Sequence, residues 1–328
     1  MVSVGAIPSV KLSSGQDMPI VGYGTVMMTE SSILEPAIAA ALANGYRHFD
    51  SAFLYANEVE FGAVLKKVYL PYGKREDLFI TSKLPPHGNR PSDVAKYLNA
   101  TLRNLDLDYL DLYLIHHPFS LIPTDELGIA EDENGNAIVD TDVDLIAVWK
   151  EMEKQVKLGK VKSIGLSNFN SSQVLRIWRA AEIKPSCLQI ENNIYLQQDD
   201  LVQLSKSLNI TVVGFSPLGS KAYPNSSKKL PPAIEHPLVK AISKKLKKSP
   251  AQVLLRYQIE RGVVVIPKSS HAGRIKENID IFNFEIGPYL PLLRDLDQKG
   301  EYRKFDFLDV WKEAAKSPEY PFVDRISN

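Results

Sequence analysis

Eight times between Val21 and Ile279 a short apolar stretch of β character is followed by a longer amphipathic stretch with the period of a helix. The strand-like stretches are Val21 to Thr25, Tyr46 to Asp50, Leu78 to Leu84, Leu110 to His116, Ser163 to Ser167, Cys187 to Glu191, Val212 to Phe215 and Val263 to Ile266. The helical ones run from Ser32 through about Asn44, Glu58 to about Val68, Ser92 to Leu105, Leu145 to Leu158, Ser171 to Ala181, Leu201 to Leu208, Pro237 to Lys247 and Arg274 to Ile279. Val94, Leu98, Thr101, Leu102 and Leu105 mark one apolar face of the third helix. Near-continuous runs such as residues 112–115 and 263–266 suit parallel strands covered on both faces. Length alone allows one domain or two. Eight βα units favour an α/β fold closed into a (β/α)8 TIM barrel over an open doubly wound sheet, and make residues 1–328 one barrel domain.

Local signals fill in the connections. Val10 to Leu12 and Met18 to Ile20 flank Ser14-Gly15-Gln16-Asp17, the mark of an N-terminal β-hairpin that reads as a small lid. Ser32-Ile-Leu-Glu35 reads as a capping box opening the first helix, with Pro36 tolerated in a first turn whose amides lack partners. No Gly-x-Gly-x-x-Gly follows the first strand, and Gly22-Tyr-Gly24 is only a fragment of one, so a Rossmann dinucleotide site is excluded. Two long irregular segments interrupt the rhythm: residues 119–141, expected as an active-site loop, and residues 284–328, expected as a tail over a substrate pocket with Tyr289 in its wall.

The polar residues that close the strands then fall into place. Asp50 follows the second strand, Lys83 ends the third, His116 the fourth and Ser167-Asn168 the fifth; Gln189 lies in the sixth, and Pro267-Lys268-Ser269 follows the eighth. In a barrel all of these meet at the C-terminal mouth, where such folds carry their chemistry. A lone lysine or histidine is usually solvated or structural; convergence of so many at one mouth argues for a catalytic set.

Other classes of function lose ground. Lys plus Arg and Asp plus Glu number 39 each, so no global field draws nucleic acid or an anionic membrane, and a small molecule is the expected partner. One cysteine, Cys187, excludes a disulfide framework within the chain and fits a reducing cytoplasm. No basic, apolar leader and no run of 18 apolar residues occurs, which reads as a soluble protein. His116-His117 resembles a metal pair, but adjacent strand residues point to opposite faces and no further ligand is spaced for one. In residues 131–136 the start of a calcium loop is spoiled by Ala137 at the glycine position and Val143 at the final glutamate, leaving an Asn-Gly turn in a lid hairpin. The expectation is no metal. Lys244-Lys245 and Lys247-Lys248 read as a solvated helix face.

Three separated stretches resemble the aldo-keto reductase family, of the aldose reductase and aldehyde reductase type: Gly45 to Gly62 with Asp50, Tyr55 and Glu58; Gly159 to Phe169; and Ile266-Pro-Lys-Ser269 continuing to Arg274, Glu277 and Asn278. The resemblance implies a catalytic tetrad of Asp50, Tyr55, Lys83 and His116. Reducing a carbonyl with a nicotinamide needs a proton from elsewhere, and Tyr55 would give it. The Lys83 ammonium would stabilise the phenolate left behind, Asp50 would hold Lys83, and His116 would hydrogen-bond the substrate oxygen.

The cofactor implied is NADPH. Ser167, Asn168 and Gln189 would hold the carboxamide, and Phe215, Ser216, Leu218 and Ser220 would wrap the ring and pyrophosphate, Phe215 standing where the family usually has a stacking tyrosine. Gly24, Thr25 and Val26 after the first strand, together with Asp50, would also contact the cofactor. Lys268 and Arg274 would clamp the adenosine 2′-phosphate, and Pro267, Ser269, Ser270, His271, Glu277 and Asn278 would also contact the cofactor. His271 replaces a usual Ser or Thr and would make phosphate affinity depend on pH. Substrate contacts fall on Val26, Leu54, Tyr55, Pro85, His116, His117 and Phe119. Val26, Pro85 and His117 stand where the aldose reductase type has tryptophans, so a wider pocket is expected, open to steroid-like ketones as well as a broad range of aldehydes. A monomer is implied. The competing reading is a nicotinamide-binding regulatory or structural protein on the same barrel; a complete proton-donating set favours the enzyme, and histidine at 116 favours carbonyls over double bonds.

Overall fold

The structure, a computed structural model, describes residues 7–69, 73–219, 230–299 and 301–322. Eight strands make one sheet: β1 (Gly22–Gly24), β2 (His48–Asp50), β3 (Phe79–Leu84), β4 (Leu110–Ile115), β5 (Val161–Ser167), β6 (Cys187–Glu191), β7 (Thr211–Phe215) and β8 (Val264–Val265). They lie side by side in chain order, each parallel to the next. A parallel bridge between Val21 and Val265 joins the last strand to the first. There the Val265 N–H donates to Ile20 O at 3.1 Å and the Gly24 N–H to Pro267 O at 3.2 Å. The sheet is therefore a closed barrel, as the eight-unit alternation predicts.

Helices α1 (Ser31–Ala43), α2 (Glu58–Tyr69), α3 (Val94–Leu105), α4 (Leu145–Lys157), α5 (Ser171–Ala180), α6 (Asp199–Ser207), α7 (Pro237–Leu246), α8 (Pro250–Glu260) and α9 (Ala272–Ile279) occupy the connections. Helix α8 is an addition to the sequence reading. Its signal was present in Ser249-Pro-Ala-Gln252: the Ser249 Oγ accepts from the Gln252 N–H, the Gln252 side chain returns to the Ser249 N–H at 3.0 Å, and Pro250 opens the first turn. The capping box expected at Ser32 is not formed. Glu30 is the N-cap without a side-chain cap bond, and Ser32 Oγ instead donates to Glu30 Oε2 at 3.4 Å. Pro36 consequently lies beyond the first turn, on the exposed face of the helix.

Two apolar layers follow from the strand alternation. Between barrel and helices, Phe49, Phe61, Leu98, Ile115, Trp149 and Leu188 belong to one continuous core. Inside the barrel, Leu112, Leu114, Val213 and Val264 meet Leu12 and Met18 of the N-terminal hairpin, Ser9–Lys11 paired with Asp17–Pro19. Gly15 turns that hairpin at φ +88°. The hairpin floors the barrel at its N-terminal end, and Asp50 and Lys83 lie toward the other, at the C-terminal ends of their strands.

At the mouth, Ser120–Leu121 pairs antiparallel with Val139–Asp140, and the Asp132 carboxylate accepts the Asn134 and Asn136 N–H groups at the hairpin tip. Phe119 and Leu121 pack with Ala314 and Tyr320 of the C-terminal segment in a separate apolar cluster, joined by Phe307, Trp311 and Phe322. Tyr289, expected in a pocket wall, packs elsewhere: it lies on the cluster of Val239, Leu254 and Leu293 beside α7 and α8.

Candidate active site

Asp50 closes β2 and Lys83 stands one residue short of the end of β3, both facing the barrel interior and both sealed from solvent. A fully buried ammonium needs a partner for each of its three N–H bonds. Lys83 has them: Asp50 Oδ1 at 2.7 Å, Ser51 O at 2.7 Å and the Tyr55 hydroxyl at 3.2 Å. Burial by itself would lower the lysine's pKa; the Asp50 carboxylate and then Tyr55 more than offset it, and the net direction is upward. Lys83 is thus held charged beside a phenol.

Tyr55 comes from a single 3-10 turn, Phe53–Tyr55, ended by Ala56 at φ +50°. The turn is tied down by buried Asn57, whose amide donates to Thr25 O at 2.8 Å and Met28 O at 3.0 Å in the loop after β1. Tyr55 itself is half-buried, so its hydroxyl lies between the buried lysine and the mouth.

His116 is fixed by its backbone. Its N–H donates to Leu84 O at 3.0 Å, and its carbonyl accepts from Asn168 Nδ2 at 2.9 Å. The ring meets Tyr55 edge-on at 5.9 Å and stacks on His117 at 4.5 Å with 15° between planes. That stack corrects the expectation that the two histidines face opposite ways: β4 ends at Ile115, so the period-two rule no longer applies. Burial drives His116 well below the ordinary histidine range, aided by its neighbours His117 and Lys83. His117 is lowered to about 3 by burial and then by Lys83. Both imidazoles are neutral at physiological pH. A neutral imidazole can donate one hydrogen bond to a carbonyl oxygen without competing with Tyr55 for the proton.

Around this centre lie the remaining sequence-predicted residues. Gln189 Nε2 donates to the second Asp50 oxygen at 2.7 Å, so the carboxylate is bridged between Lys83 and Gln189. Ser167 and Asn168 are buried at the end of β5, Asn168 with φ +63°. Gly24 and Thr25 are buried; Thr25 donates to Asp50 O through its hydroxyl. Pro267 is buried, and Lys268, Ser270, His271 and Arg274 are exposed on the loop after β8 and the start of α9. Tyr23 fastens that loop by donating to Ser269 O at 2.6 Å. Glu277 accepts from Ser249 Oγ, and Asn278 is buried. Ser216 and Leu218 are half-buried past β7, whereas Ser220 lies outside the described residues.

The expected substrate contacts divide. Val26 is exposed, Leu54 is half-buried next to Tyr55 in the chain, and Pro85 is buried just past the end of β3. Phe119 is sealed under Trp311 and Tyr320, and its ring stacks on His117 at 5.0 Å. Sequence reasoning missed the aromatic side chains of the C-terminal segment: Phe307 lies edge-on to His117 at 4.2 Å, Trp311 does so at 5.5 Å, and Phe305 meets Phe215 at 5.3 Å. Their clustering in a largely polar tail was the available signal.

Residues 21–289 match the model of the Aldo/keto reductase family. Among curated proteins the chain is 41% identical to aldo-keto reductase family 1 member C1 of Homo sapiens over 322 residues, covering 96% of this chain and 97% of that one. It is 42% identical to prostaglandin-E(2) 9-reductase of Oryctolagus cuniculus over 323 residues, with the same coverage of 96% and 97%. Among solved structures it is similar to the aldose reductase from Schistosoma japonicum, with a TM-score of 0.87 at 38% identity over 97% of this chain and 99% of the other.

Proposed function

From the premise that the chain belongs to the aldo/keto reductase family, we propose that it reduces aldehydes and ketones to alcohols with NADPH, using Tyr55 as the proton donor. The observation that carries the reading is the Lys83 ammonium, buried and hydrogen-bonded at once to Asp50 and to the Tyr55 hydroxyl. A binding protein has no need of a charged lysine held against a phenol at a cost in desolvation.

The residues present fit a phosphorylated dinucleotide. Lys268, His271 and Arg274 are exposed together and make no ion pair among the described residues, which suits a 2′-phosphate. Phe215 offers a flat ring beside the catalytic end of the barrel, and Ser167, Asn168 and Gln189 cluster next to Asp50 where a carboxamide would be held. The nicotinamide would supply the hydride.

The chain's own groups do the rest. His116 orients the carbonyl by a hydrogen bond from a neutral imidazole. Tyr55 releases its proton to the oxygen as negative charge develops there, and Lys83 stabilises the phenolate that remains. Asp50 holds Lys83 charged and in place. Floored below and roofed by the C-terminal aromatics, the site keeps bulk water from that charge.

Two features support a bulky ketone as substrate, steroid-like or of similar size. Val26 and Pro85 leave two walls without large rings, and the similarity to a prostaglandin-E(2) 9-reductase points the same way. A single buried cysteine supports a reducing, cytoplasmic setting, and the family resemblance supports a monomer. The test is NADPH oxidation by the purified protein with aromatic aldehydes, sugar aldehydes, quinones and 3-keto steroids. Turnover of at least one class is expected; none with any carbonyl, despite NADPH binding, would overturn the reading.

A further inference from the structure

Glu191 is a buried carboxylate that the chemistry above does not use. It ends β6, two residues beyond Gln189, in register with Phe215 on β7, and it is 1% exposed. Its Oε2 accepts the N–H of Lys304 at 3.0 Å and of Phe305 at 3.1 Å. The backbone around it joins the same arrangement. Gln198 Nε2 donates to Glu191 O at 2.6 Å, and Arg303 donates to Gln198 Oε1 at 3.1 Å.

The peptide held by these two bonds lies between the two halves of the site. Phe305 places its ring edge-on to Phe215, and Phe307, two residues on, reaches His117 and through it His116. Phe307 adopts φ +69°, a conformation that costs an aromatic residue about 1 kcal/mol or more and persists only where neighbours enforce it. A fixed point just upstream is what such a turn requires.

We infer that Glu191 is a positioning residue for the substrate pocket, latching the C-terminal segment across the mouth so that Phe305, Phe307 and Trp311 form its wall. The inference rests on the proposed carbonyl reduction for its kinetic consequence alone. Removing the carboxylate takes away the acceptor to which the Lys304 and Phe305 N–H groups donate, and two charge-assisted bonds that hold the segment at this point are lost with it. A segment ordered before the substrate arrives costs nothing to order on binding. The pocket should then favour large substrates, which touch the wall, over small ones.

The test uses the intact protein. Trp311 is the tryptophan of the segment, and its emission, isolated by comparison with Trp311→Phe, reports whether the wall is seated. Glu191→Met removes the acceptor at similar volume, Glu191→Gln keeps one oxygen, and Lys304→Pro deletes a donor from the far side without touching the barrel. Red-shifted Trp311 emission is expected in Glu191→Met and Lys304→Pro, with Glu191→Gln close to wild type. For a bulky ketone, KM should rise about tenfold in the first two, while kcat for a small aromatic aldehyde stays within about twofold. Should Glu191→Met fail to fold, Lys304→Pro decides. Unmoved emission, emission that moves without KM, or a Gln variant as damaged as Met would overturn the inference. A wild-type protein inert toward every carbonyl would refute the proposed reaction instead, and the emission measurement would still judge the latch.

Discussion

Lys83 and Asp50 stand 2.7 Å apart, with neither side chain reaching solvent. Breaking such a pair from one side leaves a buried charge uncompensated, which costs about 3–5 kcal/mol. Asp50→Asn should therefore lower the free energy of unfolding by that amount, measured in urea. Adding Lys83→Met to it should recover much of the loss, because the orphaned charge is then gone. Independent, additive effects of the two substitutions would show that the pair is not coupled.

Tyr55→Phe removes only a hydroxyl at the edge of the site. Carbonyl reduction should fall by about three orders of magnitude or more, with NADPH affinity within about twofold of wild type by fluorescence titration. Near-wild-type turnover would require another proton donor.

Acid should weaken the fold through its buried histidines. His87 is lowered to about 4 and His117 to about 3, each by burial first. Their folded pKa values lie below the unfolded one, near 6.5. The unfolded chain therefore binds more protons as pH falls through that value, and stability is present above it and lost below. His117→Phe removes one such group. Relative to wild type it should gain roughly 1.5 kcal/mol between about pH 6.5 and pH 5, read from urea midpoints. A constant difference across that range would mean His117 titrates alike in both states.

Lys268→Ala and Arg274→Ala should each weaken NADPH binding by roughly ten- to hundred-fold, the worth of a charge-assisted contact to phosphate. NADH, lacking the 2′-phosphate, should be affected little. Equal losses for both nucleotides would move the phosphate site elsewhere.

The barrel was legible because its units are periodic and its strand ends share a mouth; knowing the eight strands places Asp50, Lys83 and His116 together without any contact being seen. Tyr55 follows from its short distance in sequence from Asp50. Features without a period escaped. Phe305, Phe307 and Trp311 sit on a segment with no regular pattern, whose Lys304 and Phe305 N–H groups donate to Glu191, more than a hundred residues earlier. The stack of His116 on His117 depended on β4 stopping one residue sooner than its apolar run suggested. Helix α8 carried its capping signal in plain view, yet it falls in a connection already filled by α7, where a one-helix rhythm left no place for it.

The bridge between Val21 and Val265 has a consequence for how the molecule comes into being. A nascent chain would display the outer edge of β1 while some two hundred and forty residues are still to be added, because the strand that covers it is among the last to emerge. Until then the curving sheet has two raw edges, each a template for pairing with a stranger. Closure links distant parts of the chain, a slow kind of contact to make. Translation at a crowded polysome is thus the moment of greatest exposure, and chaperones that shield the half-made sheet should matter more to yield than to the stability of the finished barrel.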